Sequence, residues 1–168
     1  MASGIRHIVG MRQFPPRRIV CLTEETVETL YMLGEQDRIV GVSGYAVRPP
    51  QVRREKPRVS AFISADIPKI LALEPDLVLA FSDLQAGIVA DLVRAGVAIH
   101  VFNQRDIAGI FAMIRTLGAI VGAAERADQL AGDLEQQAKC IVKTMDDWLQ
   151  TFIKQLGEYR ILPLARIP

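Results

Sequence analysis

Short apolar runs, each closed by a polar loop and followed by a helical pattern, constrain this chain more than any other feature. Residues 18–22 (Arg-Ile-Val-Cys-Leu) and 77–81 (Leu-Val-Leu-Ala-Phe) are the clearest of them, and residues 38–42 and 97–102 repeat the theme. Strands that alternate with helices in this way build a parallel sheet covered by helices. The expected fold is therefore α/β: a three-layer, Rossmann-like lobe with a parallel sheet of about four strands. Half of the 168 residues are apolar, enough to fill such a core.

The helices follow from spacing and caps. Thr23 stands before a helix whose apolar face is Val27, Leu30, Tyr31 and Leu33, and Gly34 stops it. Asp66 opens a short helix ended by Glu74-Pro75. Residues 84–95 form another, stopped by Gly96. Asp106 caps one that runs to Val121, with Ile107, Ile110, Phe111, Ile114 and Leu117 on its buried side. The last helix is the longest. Ala127, Leu130, Leu134, Ala138, Ile141, Met145, Trp148 and Phe152 keep helical spacing over residues 123–157, roughly 50 Å at 1.5 Å per residue. The expected organisation is a leader at 1–16, a ligand-binding lobe at 17–122, the long helix at 123–157 and a tail at 158–168.

In parallel sheets, ligands sit at the loops that follow the strands' carboxyl ends. Those loops carry Thr23-Glu24-Glu25-Thr26, then Tyr45 with Arg48-Pro49-Pro50, then Phe81-Ser82-Asp83, then Asn103-Gln104-Arg105. Aromatics and scattered polar groups dominate, with no nucleophile–base pair and no glycine-rich phosphate loop. The acidic Thr-Glu-Glu-Thr turn lacks glycine and has the wrong charge for a phosphate at a helix N-terminus. These loops fit holding a molecule rather than converting it, so no catalytic residue is expected. A nucleotide-using doubly wound enzyme is the alternative that the fold alone permits.

Other classes recede on simple grounds. A net charge of +1 gives no electrostatic case for nucleic acid. No stretch approaches the ~18 apolar residues of a membrane span. Two histidines and two cysteines without ligand spacing give no metal site. Residues 1–14 hold no apolar run of signal-peptide length, so the chain as written is expected in the cytoplasm. The Trp148–Phe152 stripe is either ordinary helix packing or a face for a homo-oligomer.

Several ordered motifs also carry a resemblance. They are Arg18-Ile-Val-Cys-Leu-Thr-Glu-Glu-Thr-Val-Glu-Thr-Leu-Tyr-Met-Leu-Gly, Asp37-Arg-Ile-Val-Gly-Val-Ser-Gly-Tyr and Arg48-Pro-Pro-Gln-Val. Next come Ile70-Leu-Ala-Leu-Glu-Pro-Asp-Leu-Val-Leu-Ala, Leu92-Val-Arg-Ala-Gly-Val-Ala-Ile-His-Val-Phe and Ile114-Arg-Thr-Leu-Gly-Ala-Ile-Val-Gly. Over residues 17–138 the set resembles the substrate-binding proteins of ABC importers that have a helical backbone, most closely the cobalamin branch and then the ferric-siderophore binders. Those proteins clamp a ligand between two lobes joined by one long helix. The resemblance implies the first lobe and that helix only, a truncated form without the second lobe. It implies no catalysis, no covalently bound cofactor, cobalamin or a ferric siderophore as ligand, and an ABC permease as partner.

The same resemblance implies site residues Thr23, Glu24, Glu25, Tyr45, Phe62 and Phe81; Arg48, in the loop with Tyr45, and Arg105, placed after a strand where it can meet an anionic ligand group, complete the candidate set. Bland roles stand beside the functional ones. Glu24 and Glu25 also suit a positive helix N-terminus, Phe62 and Phe81 also suit a core, and Arg105 also suits solvent. Arg48 stands where cobalamin binders often carry an aromatic. The glutamate that docks such proteins onto transporter arginines is replaced near Ala86.

Overall fold

The structure is a computed structural model, and it describes residues 14–158. The expected leader falls largely, and the tail almost wholly, outside the described residues. Five strands form one sheet: β1 (Ile19–Cys21), β2 (Ile39–Ser43), β3 (Arg58–Ser60), β4 (Leu77–Phe81) and β5 (Ile99–Phe102). The helices are α1 (Glu24–Met32), α2 (Val52–Glu55), α3 (Ile67–Ala72), α4 (Ala86–Arg94), α5 (Ile107–Ile120) and α6 (Ala124–Glu158). The strand order is β3-β2-β1-β4-β5, and every pairing is parallel. The chain steps outward from β1 in one direction, then returns to β4 and steps the other way. Open α/β sheets take ligands at the carboxyl ends of their strands near such a reversal.

The fifth strand is the main departure from expectation. β3 leaves no apolar run in the sequence, because only Val59 of its three residues is buried. It pairs as an edge strand, with Val42 opposite Arg58 and Ser43 opposite Ser60. The central strands behave as their sequence demands. β1 is buried throughout, as are the first four residues of β4, so both read as unbroken apolar runs. Val20, Leu22, Val59, Ile70, Val78, Ala80, Ile88 and Leu92 form one core cluster on the sheet.

The side chain of Asp76 fixes where β1 begins, accepting the amides of Arg17 (2.7 Å) and Arg18 (2.9 Å). Asp66 and Asp106 cap α3 and α5, accepting from the amides of Lys69 and Gly109. Thr23 occupies the N-cap of α1 in an extended conformation but caps no amide. Its hydroxyl instead lies 3.3 Å from that of Thr26, which donates to the Thr23 carbonyl.

The chain divides into two compact units, one ending at Ala131 and the other beginning at Gly132. The opening turns of α6 belong to the first unit. There Gly118 on α5 meets Ala127: a Cβ on Gly118 would lie 2.0 Å from the Ala127 Cβ. Arg126 donates to the Leu33 carbonyl at the end of α1 and pairs with Glu35, which also binds Arg38. Burial alone would raise the Glu35 carboxyl, but its two guanidinium partners outweigh that and hold it below its ordinary value.

A carboxyl depressed on folding stabilises fully above its unfolded value and loses that contribution as pH falls through the folded one. Arg126→Met is therefore expected to cost about 1 kcal/mol or less at neutral pH, since the arginine is half exposed. The cost should fade in acid. Urea midpoints of both forms across pH check this, and a pH-independent gap would refute it.

In the second unit α6 exposes Ile141, Met145, Trp148, Leu149 and Phe152. Trp148 and Phe152 stack with ring centroids 5.4 Å apart. No helix among the described residues is long and apolar enough to cross a membrane.

A candidate ligand cavity at the carboxyl ends of the strands

Because all five strands run parallel, the loops after them emerge along one edge of the sheet. Thr23, Glu24, Glu25, Ser43, Tyr45 and Phe62 line a cavity of about 330 Å³ there. β1 delivers the first three, β2 delivers Ser43 and Tyr45, and the turn after β3 delivers Phe62. Five of the expected site residues thus meet in one place: Thr23, Glu24, Glu25, Tyr45 and Phe62. Tyr45 is largely exposed, so its ring is free of the core. Oε1 of Glu25 is buried and has no hydrogen-bond partner among the described residues.

Phe81 and Arg105 lie farther along the same edge, after β4 and β5. The Arg105 guanidinium sits 5.8 Å from the Phe81 ring centroid and pairs with Asp83 at 3.1 Å. Both ionic partners are exposed, so this pair steers side chains more than it stabilises the fold. Arg48 goes elsewhere. It pairs with Glu28 at 3.3 Å and lines a separate cavity with Tyr31, Met32, Pro49 and Pro50. The loop after β2 is long enough to carry Arg48 past the sheet edge and over the outer side of α1.

One residue that organises this edge gives no signal in the sequence. Gln85 is completely buried. Its Nε2 donates to the carbonyls of Leu22 (3.1 Å) and Phe62 (2.9 Å), and its Oε1 accepts the Phe81 amide (3.0 Å). One side chain therefore ties together the segments that leave β1, β3 and β4. Just before it, buried Ser82 holds φ +58° and ψ 178°, a conformation that costs a non-glycine residue about 1–3 kcal/mol. Such strain persists only where surrounding contacts enforce it; here the Ser82 amide donates to the Phe102 carbonyl at 2.8 Å.

The titratable groups offer little chemistry. Cys21 is buried within β1, and burial pushes its thiol up to about 12, so it stays protonated. His100 packs against Phe102 within β5 at 4.3 Å, and partial burial lowers its pKa. Among the described residues no three His, Cys, Asp or Glu side chains converge as metal ligands.

Residues 19–154 match the family model described as periplasmic binding protein. The chain belongs to that family. A substrate-binding lipoprotein of an ABC transporter from Bacillus subtilis is 29% identical over 150 residues, covering 83% of this chain and 46% of the relative. A vitamin B12-binding protein of Vibrio cholerae is 29% identical over 157 residues, covering 92% of this chain and 56% of the relative. The crystal structure of the periplasmic vitamin B12 binding protein of Vibrio cholerae superposes with a TM-score of 0.70 at 29% identity, over 77% of this chain and 51% of that one. A periplasmic heme binding protein from Pseudomonas aeruginosa shares the fold, with a TM-score of 0.72 at 22% identity, over 83% of this chain and 49% of that one.

The chain spans about half the length of the curated relatives it matches. The relatives also correct the expected compartment. Periplasmic binding proteins and substrate-binding lipoproteins work outside the cytoplasm, which conflicts with a cytoplasmic location. That expectation rested on the composition of 14 residues, and composition there says nothing about where a family member works.

Proposed function

We propose that this chain is the first lobe and linking helix of an ABC-importer substrate-binding protein, and that it binds a corrinoid such as cobalamin or a ferric siderophore without transforming it. The observation that carries the reading is the cavity at the carboxyl edge of a parallel sheet, in a chain similar to proteins named for B12 and ABC-transporter substrate binding. Tyr45 and Phe62 offer aromatic area at low entropic cost, which suits a large flat ligand. Phe81 and Arg105 extend that wall. In this reading residues 17–122 hold the ligand, the helix over 123–157 is the linking helix, and an ABC permease is the partner. The exposed apolar stripe of α6 is the face through which this chain would self-associate.

Calorimetric titration with cyanocobalamin, run beside hemin and a ferric siderophore, tests the reading. One wall of a clamp buries one face of a ligand, so saturable binding is expected at about 10 µM or weaker, ~7 kcal/mol. No saturable heat from any of the three would refute it.

A further inference from the structure

We infer that the cavity selects ligands whose edge presents uncharged N–H donors and rejects those whose edge presents carboxylates. The inference rests on the reading of this cavity as the ligand site. Its starting point is the unpartnered, buried Oε1 of Glu25. A carboxylate oxygen only accepts hydrogen bonds, and a buried acceptor without a donor is a liability until something supplies one. No group of the wall bonds it: the Thr23 hydroxyl is engaged with Thr26, and the Ser43 hydroxyl, which accepts the Tyr45 amide at 3.3 Å, makes no hydrogen bond to Glu25 Oε1. Glu24 adds a second, exposed carboxylate, and among the described residues no lysine or arginine lines the cavity. Arg48 pairs with Glu28 away from the cavity, and Arg105 stands farther along the edge, beyond the Glu25 end of the wall, paired with Asp83.

The wall is thus acceptor-rich and negative beside two aromatic faces. A macrocycle fringed with primary amides satisfies it, because an amide N–H placed on Glu25 forms a charge-assisted bond. A tetrapyrrole with propionates, or a chelate bearing free carboxylates, brings like charge to the same place. Family membership does not dictate this choice; it follows from glutamates at positions 24 and 25.

Two corrinoids with the same ring make the test. Dicyanocobinamide carries peripheral amides, and dicyanocobyrinic acid carries carboxyls in their place. Both are titrated against the unmodified chain and against Glu25→Gln, with circular dichroism checking the variant's fold. The expected result is at least about tenfold tighter binding of the amide form, the size of one charge-assisted hydrogen bond. In Glu25→Gln, whose amide can also donate, that preference should fall about tenfold. Equal affinity of the unmodified chain for both corrinoids would overturn the inference while leaving the functional reading intact. A preference unchanged in Glu25→Gln would do the same. Failure of both corrinoids to bind would overturn corrinoid binding and this inference with it.

Discussion

Replacing Gln85 by leucine is expected to destabilise the first unit by about 3–5 kcal/mol, because it strands one buried and two partly buried backbone groups at once. The leucine fits the volume but offers neither donor nor acceptor. It leaves the Phe81 N–H and the carbonyls of Leu22 and Phe62 without their partner. Each orphaned group costs a desolvation penalty of about 1–3 kcal/mol, and the partial exposure of the Phe81 and Phe62 groups keeps the sum near the lower end. Against a typical domain stability of about 5–15 kcal/mol this is a severe loss. The amide orientation is fixed by its surroundings, since a flipped Gln85 would set its NH₂ against the Phe81 N–H and its oxygen against two carbonyls. At a urea slope of about 2 kcal/mol/M the midpoint should fall by roughly 2 M. A fall below about 0.5 M would show that solvent replaces the lost partners. Because the Phe62 carbonyl is one of the three, ligand affinity should drop with stability.

The second large effect concerns the crossing of α5 and α6. Gly118→Ala is expected to cost about 2–3 kcal/mol net, even though alanine is the better helix former by ~1 kcal/mol. The added methyl would lie 2.0 Å from the Ala127 Cβ, a distance that only movement of one helix can relieve. In a domain of this size that corresponds to a fall in Tm of roughly 5–10 °C. The clash has a specific cure. In the double variant Gly118→Ala, Ala127→Gly the methyl changes helix and the contact is restored. The pair should therefore recover most of the loss, giving a coupling energy of ~2–3 kcal/mol in a double-mutant cycle. If the losses simply add, the helices are held apart by something other than this contact.

How far the sequence disclosed this molecule depends on which signal each part leaves. β1 and β4 are buried on both faces, and their unbroken apolar runs announce them. The helix faces are equally plain, since Val27 and Leu30 on α1 and Ile114 and Leu117 on α5 keep helical spacing and are buried. β3 left no run, because an edge strand of three residues with one buried side chain looks like any loop. The cavity wall was legible only as a set of strand-end residues. Nothing local shows that Thr23, Glu25, Tyr45 and Phe62 meet while Arg48 turns away to Glu28, because loop trajectories are set by contacts distant in sequence. Gln85 was the least legible of all. A glutamine at the start of an amphipathic helix reads as a solvated residue, and its role exists only once Leu22 and Phe62, 63 and 23 positions away, arrive beside it.

The two cysteines have a practical corollary. Cys21 is sealed within β1 with its thiol pushed up to about 12, whereas Cys140 is exposed on α6. Only a thiolate reacts readily with maleimides and iodoacetamides. The native chain therefore comes with a single addressable handle on its second unit, with no cysteine to engineer in or out. A dye placed there would report on the long helix while leaving the sheet and its cavity unmodified.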